Sequence, residues 1–210
     1  MTTIIANLSV KEVYNKIATQ FDNTRQRIWT VVKSFMDTLP SHSHVLELGC
    51  GNGKNMLYRG DLYITGIDIS EEQVRICKAK GLHVTEGTIT SLDFPANSFD
   101  TMICIATYHH LDNDDDRQRC LKEMYRCLKS GGQILITVWA MEQEPTSNFH
   151  FTQTNSMVPW KSRTDNNTYL RYYHIYQKSE LLDEVQRLCP ELTPVRFLWD
   201  QGNWNLVLQK

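Results

Sequence analysis

Three glycines at alternate positions, Gly49, Gly51 and Gly53, follow a short run, residues 45–48, in which apolar side chains flank one acid, Glu47. This pattern suits a buried strand ending in a tight turn, because a backbone without Cβ atoms can bend sharply and come close to a ligand. A second acid, Asp68, stands 19 positions after Gly49 near the end of another apolar run, residues 63–69. An acid at the tip of a second strand can accept hydrogen bonds from both hydroxyls of a ribose. The spacing is GxGxG, which is neither the GxGxxG of dinucleotide binders nor a P-loop closed by Lys-Ser or Lys-Thr. The chemistry these residues permit is the holding of a nucleoside in the crevice beyond the strand ends.

The elements that must position them can be read along the chain. Ser9 and Glu12 form a capping box ahead of Val10, Val13, Tyr14, Ile17 and Phe21 at helical spacing. A second helix is expected over about 24–39, stopped by Pro40, and a further helix start at 54–58. Ser70 caps a helix running to Lys80, with Gln73 completing its box and Gly81 ending it. Strands follow near 83–85 and over 99–106. Asp112 to Asp116 opens another helix, where carboxylates favour the positive end of the dipole; this helix runs through Leu128 and stops at Gly131. The acids read as capping rather than metal ligation. Residues 133–139 make the fifth strand, so strands and helices alternate as in a doubly wound parallel sheet. The polar stretch 141–169 breaks the pattern and is too long for an ordinary connection. A helix over 179–188 and a hairpin, 195–199 with 204–208, close the chain.

At 210 residues the chain suits one domain, with 1–40 as a helical lid, 41–140 as the core, 141–178 as a substrate-side insertion and 179–210 as a final helix and hairpin. Its six cysteines show no CxxC pair and no zinc spacing, so they are expected to be reduced core residues of a cytosolic protein, with no metal. No basic, apolar leader is seen at 1–10, and no stretch is long enough to span a bilayer. The net charge of −2 argues against binding nucleic acid through the overall field, although residues 11–33 carry five basic residues against two acids.

The glycine loop with Glu47 and Asp68 resembles the class I S-adenosylmethionine-dependent methyltransferases. That resemblance implies a Rossmann-like α/β fold: a seven-stranded sheet, mostly parallel, with an antiparallel C-terminal hairpin and a helical N-terminal lid. It implies cofactor contacts from Glu47, Gly49, Gly51, Gly53, Asp68, Ile69, Thr88, Ile89 and Ala106. Where that family places an acid near the adenine, four residues before Leu92, this chain has Thr88. Thr88 and the nearby Glu86 both stay open for that role. Further along, VYNKIATQFDNTR, GCGNGK, IATYHH, VWAMEQ, VPW, RYYHIY and the closing GNW resemble the tRNA wobble-uridine carboxymethyl methyltransferases, from Val13 to Trp204. The implied reaction is esterification of a carboxymethyl group in the tRNA anticodon loop, with a small zinc-binding activator subunit as a partner.

A carboxylate is already ionised at neutral pH, so methyl transfer to it needs position rather than a general base. Donors expected to orient the acceptor are Arg25 on the lid, His109 and His110, and Arg171 and His174 from the late segment. Tyr172 or Tyr173 is expected to stack on the uracil. A small-molecule methyltransferase, or an inactive cofactor-binding partner of an RNA-modifying complex, stands as the competing reading.

Overall fold

The computed structural model describes residues 3–210; Met1 and Thr2, with which the segment read for a leader begins, lie outside the described residues. In chain order the elements are β1 (Ile4–Ile5), α1 (Val10–Thr24), α2 (Thr30–Met36), β2 (His44–Leu48), β3 (Tyr63–Asp68), α3 (Glu71–Ala79), β4 (Val84–Glu86), β5 (Phe99–Ile105), α4 (Asp114–Cys127), β6 (Leu128–Trp139), β7 (Asn155–Lys161), β8 (Thr168–His174), α5 (Glu180–Leu188), β9 (Thr193–Asp200) and β10 (Asn203–Gln209). Seven strands form one sheet in the order β4-β3-β2-β5-β6-β10-β9. The first five run parallel, and β10 lies antiparallel to both β6 and β9. This is the doubly wound sheet with an antiparallel hairpin that the sequence implied.

Period-two alternation sends successive side chains of β2 to opposite faces. Leu46 and Leu48 pack with Leu121 and Met124 of α4 and Leu181 and Val185 of α5, whereas Val45 packs with Val32, Phe35 and Met36 of α2. Burial on both faces explains why these strands read as nearly continuous apolar runs. Among the described residues no helix is long and apolar enough to cross a membrane.

Several boundaries differ from the sequence reading, each for a local reason. The second helix starts at Thr30, not Thr24, because residues 25–29 are irregular: the Asn52 amide donates to the Arg25 carbonyl and to the Asp22 carboxylate, and Trp29 caps α2 with extended backbone. Residues 54–58 form turns and not a helix; the Asn55 side chain is drawn inward to Glu47 instead of outward. Ser70 caps α3 through the Gln73 N–H, but the Gln73 side chain is buried without a partner among the described residues, so only half of that box forms. Helix α4 ends at Cys127, where Asn97 and Ser98 N–H groups take its last carbonyls. Leu128 already pairs with Phe99, and Gly131 lies inside β6.

The largest departure is the stretch read as irregular. Residues 155–161 and 168–174 form an antiparallel pair, joined at the edge by β1 to make a second, three-stranded sheet. Inward Trp160 and Tyr169 of this sheet pack on Val13 and Ile17 of α1. The alternation was hidden because β7 buries only Val158 and Trp160, with exposed Met157 and Pro159 breaking the apolar-in, polar-out pattern. Lid and insertion therefore form one cap over the ends of the parallel strands.

Candidate active site

Between this cap and the β2, β3 and β5 ends lies a cavity of about 680 Å³. The glycine turn supplies its floor. Gly49 sits at φ +70°, and a Cβ there would collide with Thr107, whose hydroxyl donates to the Gly49 carbonyl. The Gly51 N–H donates to Asp68 Oδ2 at 2.7 Å and the Ser70 N–H to Oδ1 at 2.9 Å, so one carboxylate ties the turn to the tip of β3. Burial pushes the Asp68 carboxyl above its ordinary range while these N–H bonds pull it back. Each oxygen keeps a further lone pair for a ligand.

Glu47, only 1% exposed, accepts from the Asn55 amide at 2.6 Å through Oε1, and its Oε2 is buried with no partner among the described residues. Burial raises its pKa to about 8, against a smaller lowering by Asn55. Lys54 lines the same end with its Nζ 5.5 Å from the Trp29 ring, and among the described residues it has no ion-pair partner. A cryptic acid and a free amine side by side suit a zwitterionic amino-acid group. At the other end Ile69, which is partly exposed, and the side chains of Thr88 and Ile89 form an apolar slot with one hydroxyl. Ala106, held at φ +53° with its N–H bonded to the Thr137 carbonyl, completes the wall.

Across from the turn the cap brings in cations. The guanidinium of Arg25 lies 4.9 Å and that of Arg171 5.1 Å from the centroid of Trp160. Arg171 is buried, also rests on Tyr173 at 5.2 Å, and donates to the Tyr14 hydroxyl at 3.4 Å; its Nε has no partner among the described residues. Neither arginine has a carboxylate within ion-pair distance among the described residues. Desolvation, then repulsion from Arg171, lowers the Arg25 pKa. His110 faces the cavity in a fixed neutral form: Nδ1–H donates to the Tyr172 carbonyl at 2.7 Å and Nε2 accepts from Tyr14 at 3.0 Å. Burial pushes its pKa down to about 3.

Other expected residues lie elsewhere. His109 is fully buried and does not line the cavity: its Nδ1 accepts from the Trp139 N–H, and its ring lies 4.7 Å from that of His110, which alone of the two reaches the cavity wall. His174 bonds Glu180 at 2.7 Å and Asn155 at 3.0 Å behind β8. Gly53 does not line the cavity; a Cβ there would collide with Leu82 at φ +73°, so its role is packing. Glu86 pairs with Lys11 outside, leaving Thr88 as the one of the two that faces in. Tyr172 does not line the cavity and donates its hydroxyl to Asn155, and the Tyr173 ring is enclosed by His109, His110 and Trp139 with centroids 4.4 to 4.6 Å away. Tyr14, Lys54, Trp29, Trp139 and Trp160 line the cavity without having been given a role there; Tyr14, Lys54, Trp139 and Trp160 stand inside the motifs VYNKIATQFDNTR, GCGNGK, VWAMEQ and VPW, and Trp29 carried no such signal.

Residues 46–136 match a family model described as a methyltransferase domain. The chain is 32% identical to a tRNA (carboxymethyluridine(34)-5-O)-methyltransferase of Schizosaccharomyces pombe, over 97% of both chains. The chain belongs to that family. It is also 41% identical to the Arabidopsis thaliana protein of the same name over 66% of this chain, though only 34% of that longer protein is covered. Among solved structures, a methyltransferase in complex with the Haloferax volcanii Trm112 methyltransferase activator matches with a TM-score of 0.69 at 17% identity, covering 96% of this chain and 97% of that one, which shows a shared fold. As in the rest of this family of methyltransferases, S-adenosylmethionine is the cofactor. The unpartnered Glu47 oxygen, the glycine turn that a side chain would block, and the apolar slot at Ile69 and Ile89 fit its ammonium, its chain and its adenine in turn.

Proposed function

We infer that this protein methylates the carboxylate of a 5-carboxymethyluridine at the wobble position of tRNA, forming the methyl ester. The observation that carries this reading is the pair of arginines, Arg25 and Arg171, unpaired with any acid among the described residues and gathered on Trp160 at the mouth of the cofactor cavity. A buried guanidinium left without an anion is costly, and a planar carboxylate is the group whose geometry its N–H fork fits. The reported substrate of the fission yeast relative, carboxymethyluridine, carries such a group.

S-adenosylmethionine supplies an electrophilic methyl. The chain's own part is to orient the two reactants and exclude water. Glu47, Lys54 and Asp68 would hold the amino-acid and ribose parts, Ile69, Thr88 and Ile89 the adenine. Arg171, fixed by Tyr14, Trp160 and Tyr173, would hold the acceptor carboxylate, with Arg25 on the rim meeting the same group or an adjoining phosphate. No proton need be removed from an ionised carboxylate, so positioning is the main source of rate, on the order of 7–11 kcal/mol for well-aligned reactants. His110, neutral and with both nitrogens engaged, supports Tyr14 and does not act as a base.

A small zinc-binding activator subunit and a cytosolic location are part of this reading. The first is supported by the activator complex of the archaeal structural neighbour, the second by six buried, unpaired thiols. The test is nucleoside mass spectrometry on tRNA carrying unesterified carboxymethyluridine, incubated with cofactor, with and without such an activator. Gain of one methyl on that nucleoside is expected; measurable cofactor binding with no gain in either case would point to a small-molecule acceptor.

A further inference from the structure

Two sequence motifs, VWAMEQ at 138–143 and GNW at 202–204, meet each other where β6 pairs with the start of β10. The Gln143 amide donates to the Ala140 carbonyl at 2.7 Å and to the Gly202 carbonyl at 2.9 Å, and a Cβ on left-handed Gly202 would collide with Gln143. The Glu142 carbonyl accepts from the Trp199 indole at 2.8 Å and its carboxylate from the Trp204 indole at 3.1 Å. Gln143 Oε1 then accepts from the Ser147 hydroxyl at 3.2 Å, and that hydroxyl accepts from the Phe149 N–H at 3.1 Å. Hydrogen bonds therefore lead from the hairpin to one aromatic residue, through a segment with no helix or strand of its own.

Phe149 lines the cofactor cavity and is 39% exposed, more than any other aromatic side chain lining it. Phe151 backs it with ring planes 8° apart at 6.1 Å, and Trp139 packs against it at 4.9 Å. From Arg171 the cavity wall continues over Tyr173 at 5.2 Å and Trp139, 4.6 Å further, to this ring. We propose that Phe149 is the stacking platform for the uracil of the acceptor, with the two motifs as the anchor of its loop. This rests on the acceptor reading above. Bases in single-stranded loops are read by aromatic faces. One methylene separates the acceptor's ring from its carboxylate, so a guanidinium for the one needs a surface for the other close by. Tyr172 stands outside the cavity and Tyr173 is buried, so the stacking expected of them falls to Phe149. With ring and carboxylate both held, the attacking oxygen stays aligned with the methyl group.

The test is calorimetric binding of 5-carboxymethyluridine and of its 5,6-dihydro analogue to the full chain saturated with S-adenosylhomocysteine. The analogue has the same carboxylate and sugar on a puckered ring. The planar nucleoside is expected to bind at least fivefold tighter. Phe149→Leu weakens its binding about tenfold and removes the preference, whereas Phe149→Tyr retains both. The Phe149 side chain is exposed and its loop is held through the backbone N–H, so these variants keep the anchor. Gln143→Ala, which loosens the loop, weakens binding severalfold and has no further effect once Phe149 is Leu. Equal binding of the two nucleosides, or a preference that survives Phe149→Leu, overturns the platform; an effect of Gln143→Ala that persists in the Leu background overturns the anchor. No binding of either nucleoside to the unaltered protein would instead overturn the acceptor reading and this proposal with it.

Discussion

Arg25 and Arg171, 146 positions apart in the chain, converge on the single indole of Trp160 at 4.9 and 5.1 Å. Their like charges are brought together on that ring by the folding of the cap, whose desolvation sharpens the repulsion, with no acid within ion-pair distance among the described residues to offset them. An anionic acceptor relieves this repulsion, which makes the pair a binding site and not a packing accident. Arg171→Lys keeps the charge but loses the planar fork, and is expected to lower kcat/KM for the RNA about 100-fold. Arg25→Ala, on the exposed rim, is expected to raise KM about tenfold with little change in kcat. Cofactor affinity, measured by calorimetry, should be unchanged in both; a loss there would assign the arginines to the cofactor instead.

Glu47 has its folded pKa raised to about 8 by burial. The folded protein therefore keeps a proton that the unfolded chain loses above its ordinary range near 4.5. Stability of the cofactor-free protein falls as pH rises through this window, since the unfolded state binds fewer protons there. The cofactor's ammonium favours the ionised form, so binding at pH 7 is expected to release a proton and affinity to rise with pH up to about 8. Calorimetry in buffers of different ionisation enthalpy measures the release. Glu47→Gln should abolish it and weaken cofactor binding about tenfold.

Tyr14 links His110 Nε2 to Arg171 through one hydroxyl. Tyr14→Phe leaves the ring in place and frees Arg171, so kcat for the RNA should drop roughly tenfold with cofactor affinity retained, as for loss of a hydrogen bond to a charged group. His110, with its pKa pushed to about 3, should contribute no ionisation to the pH–rate profile between pH 5 and 9. An ionisation in that range that disappears in His110→Gln would contradict the neutral, structural role.

Asp68 and Gly53, both read as cofactor contacts, should separate experimentally. Asp68→Ala releases the Gly51 and Ser70 N–H groups and opens the ribose site, and is expected to weaken cofactor binding about 100-fold. Gly53→Ala forces a side chain against Leu82 in a left-handed backbone, so it should lower the melting temperature by several degrees while the folded fraction keeps near-normal cofactor affinity.

The glycine turn and the two acids beside it were legible because they are local. Glu47, the glycines and Asp68 sit at the ends of two neighbouring parallel strands, and apolar runs broken by glycine encode that arrangement within about twenty residues. His109 and His174 were misread because a residue's type does not show which way its side chain points: the 108–110 turn sends one histidine inward and its neighbour to the cavity. The strands of the cap escaped notice because β7 shows only two buried residues, Val158 and Trp160, around a proline, and β8 is buried along its length without a period-two pattern.

What the sequence by itself determined is the doubly wound sheet, its closing hairpin and the turn that receives the cofactor, since period-two and helical burial patterns and glycine spacing act over short range. Only the tertiary structure decided the acceptor side. Tyr14 and Arg171 meet across 157 positions, and Trp160 reaches both arginines because β7 and β8 fold back on α1. Such contacts arise from the burial of one apolar surface on another, and no local pattern records which surfaces will meet.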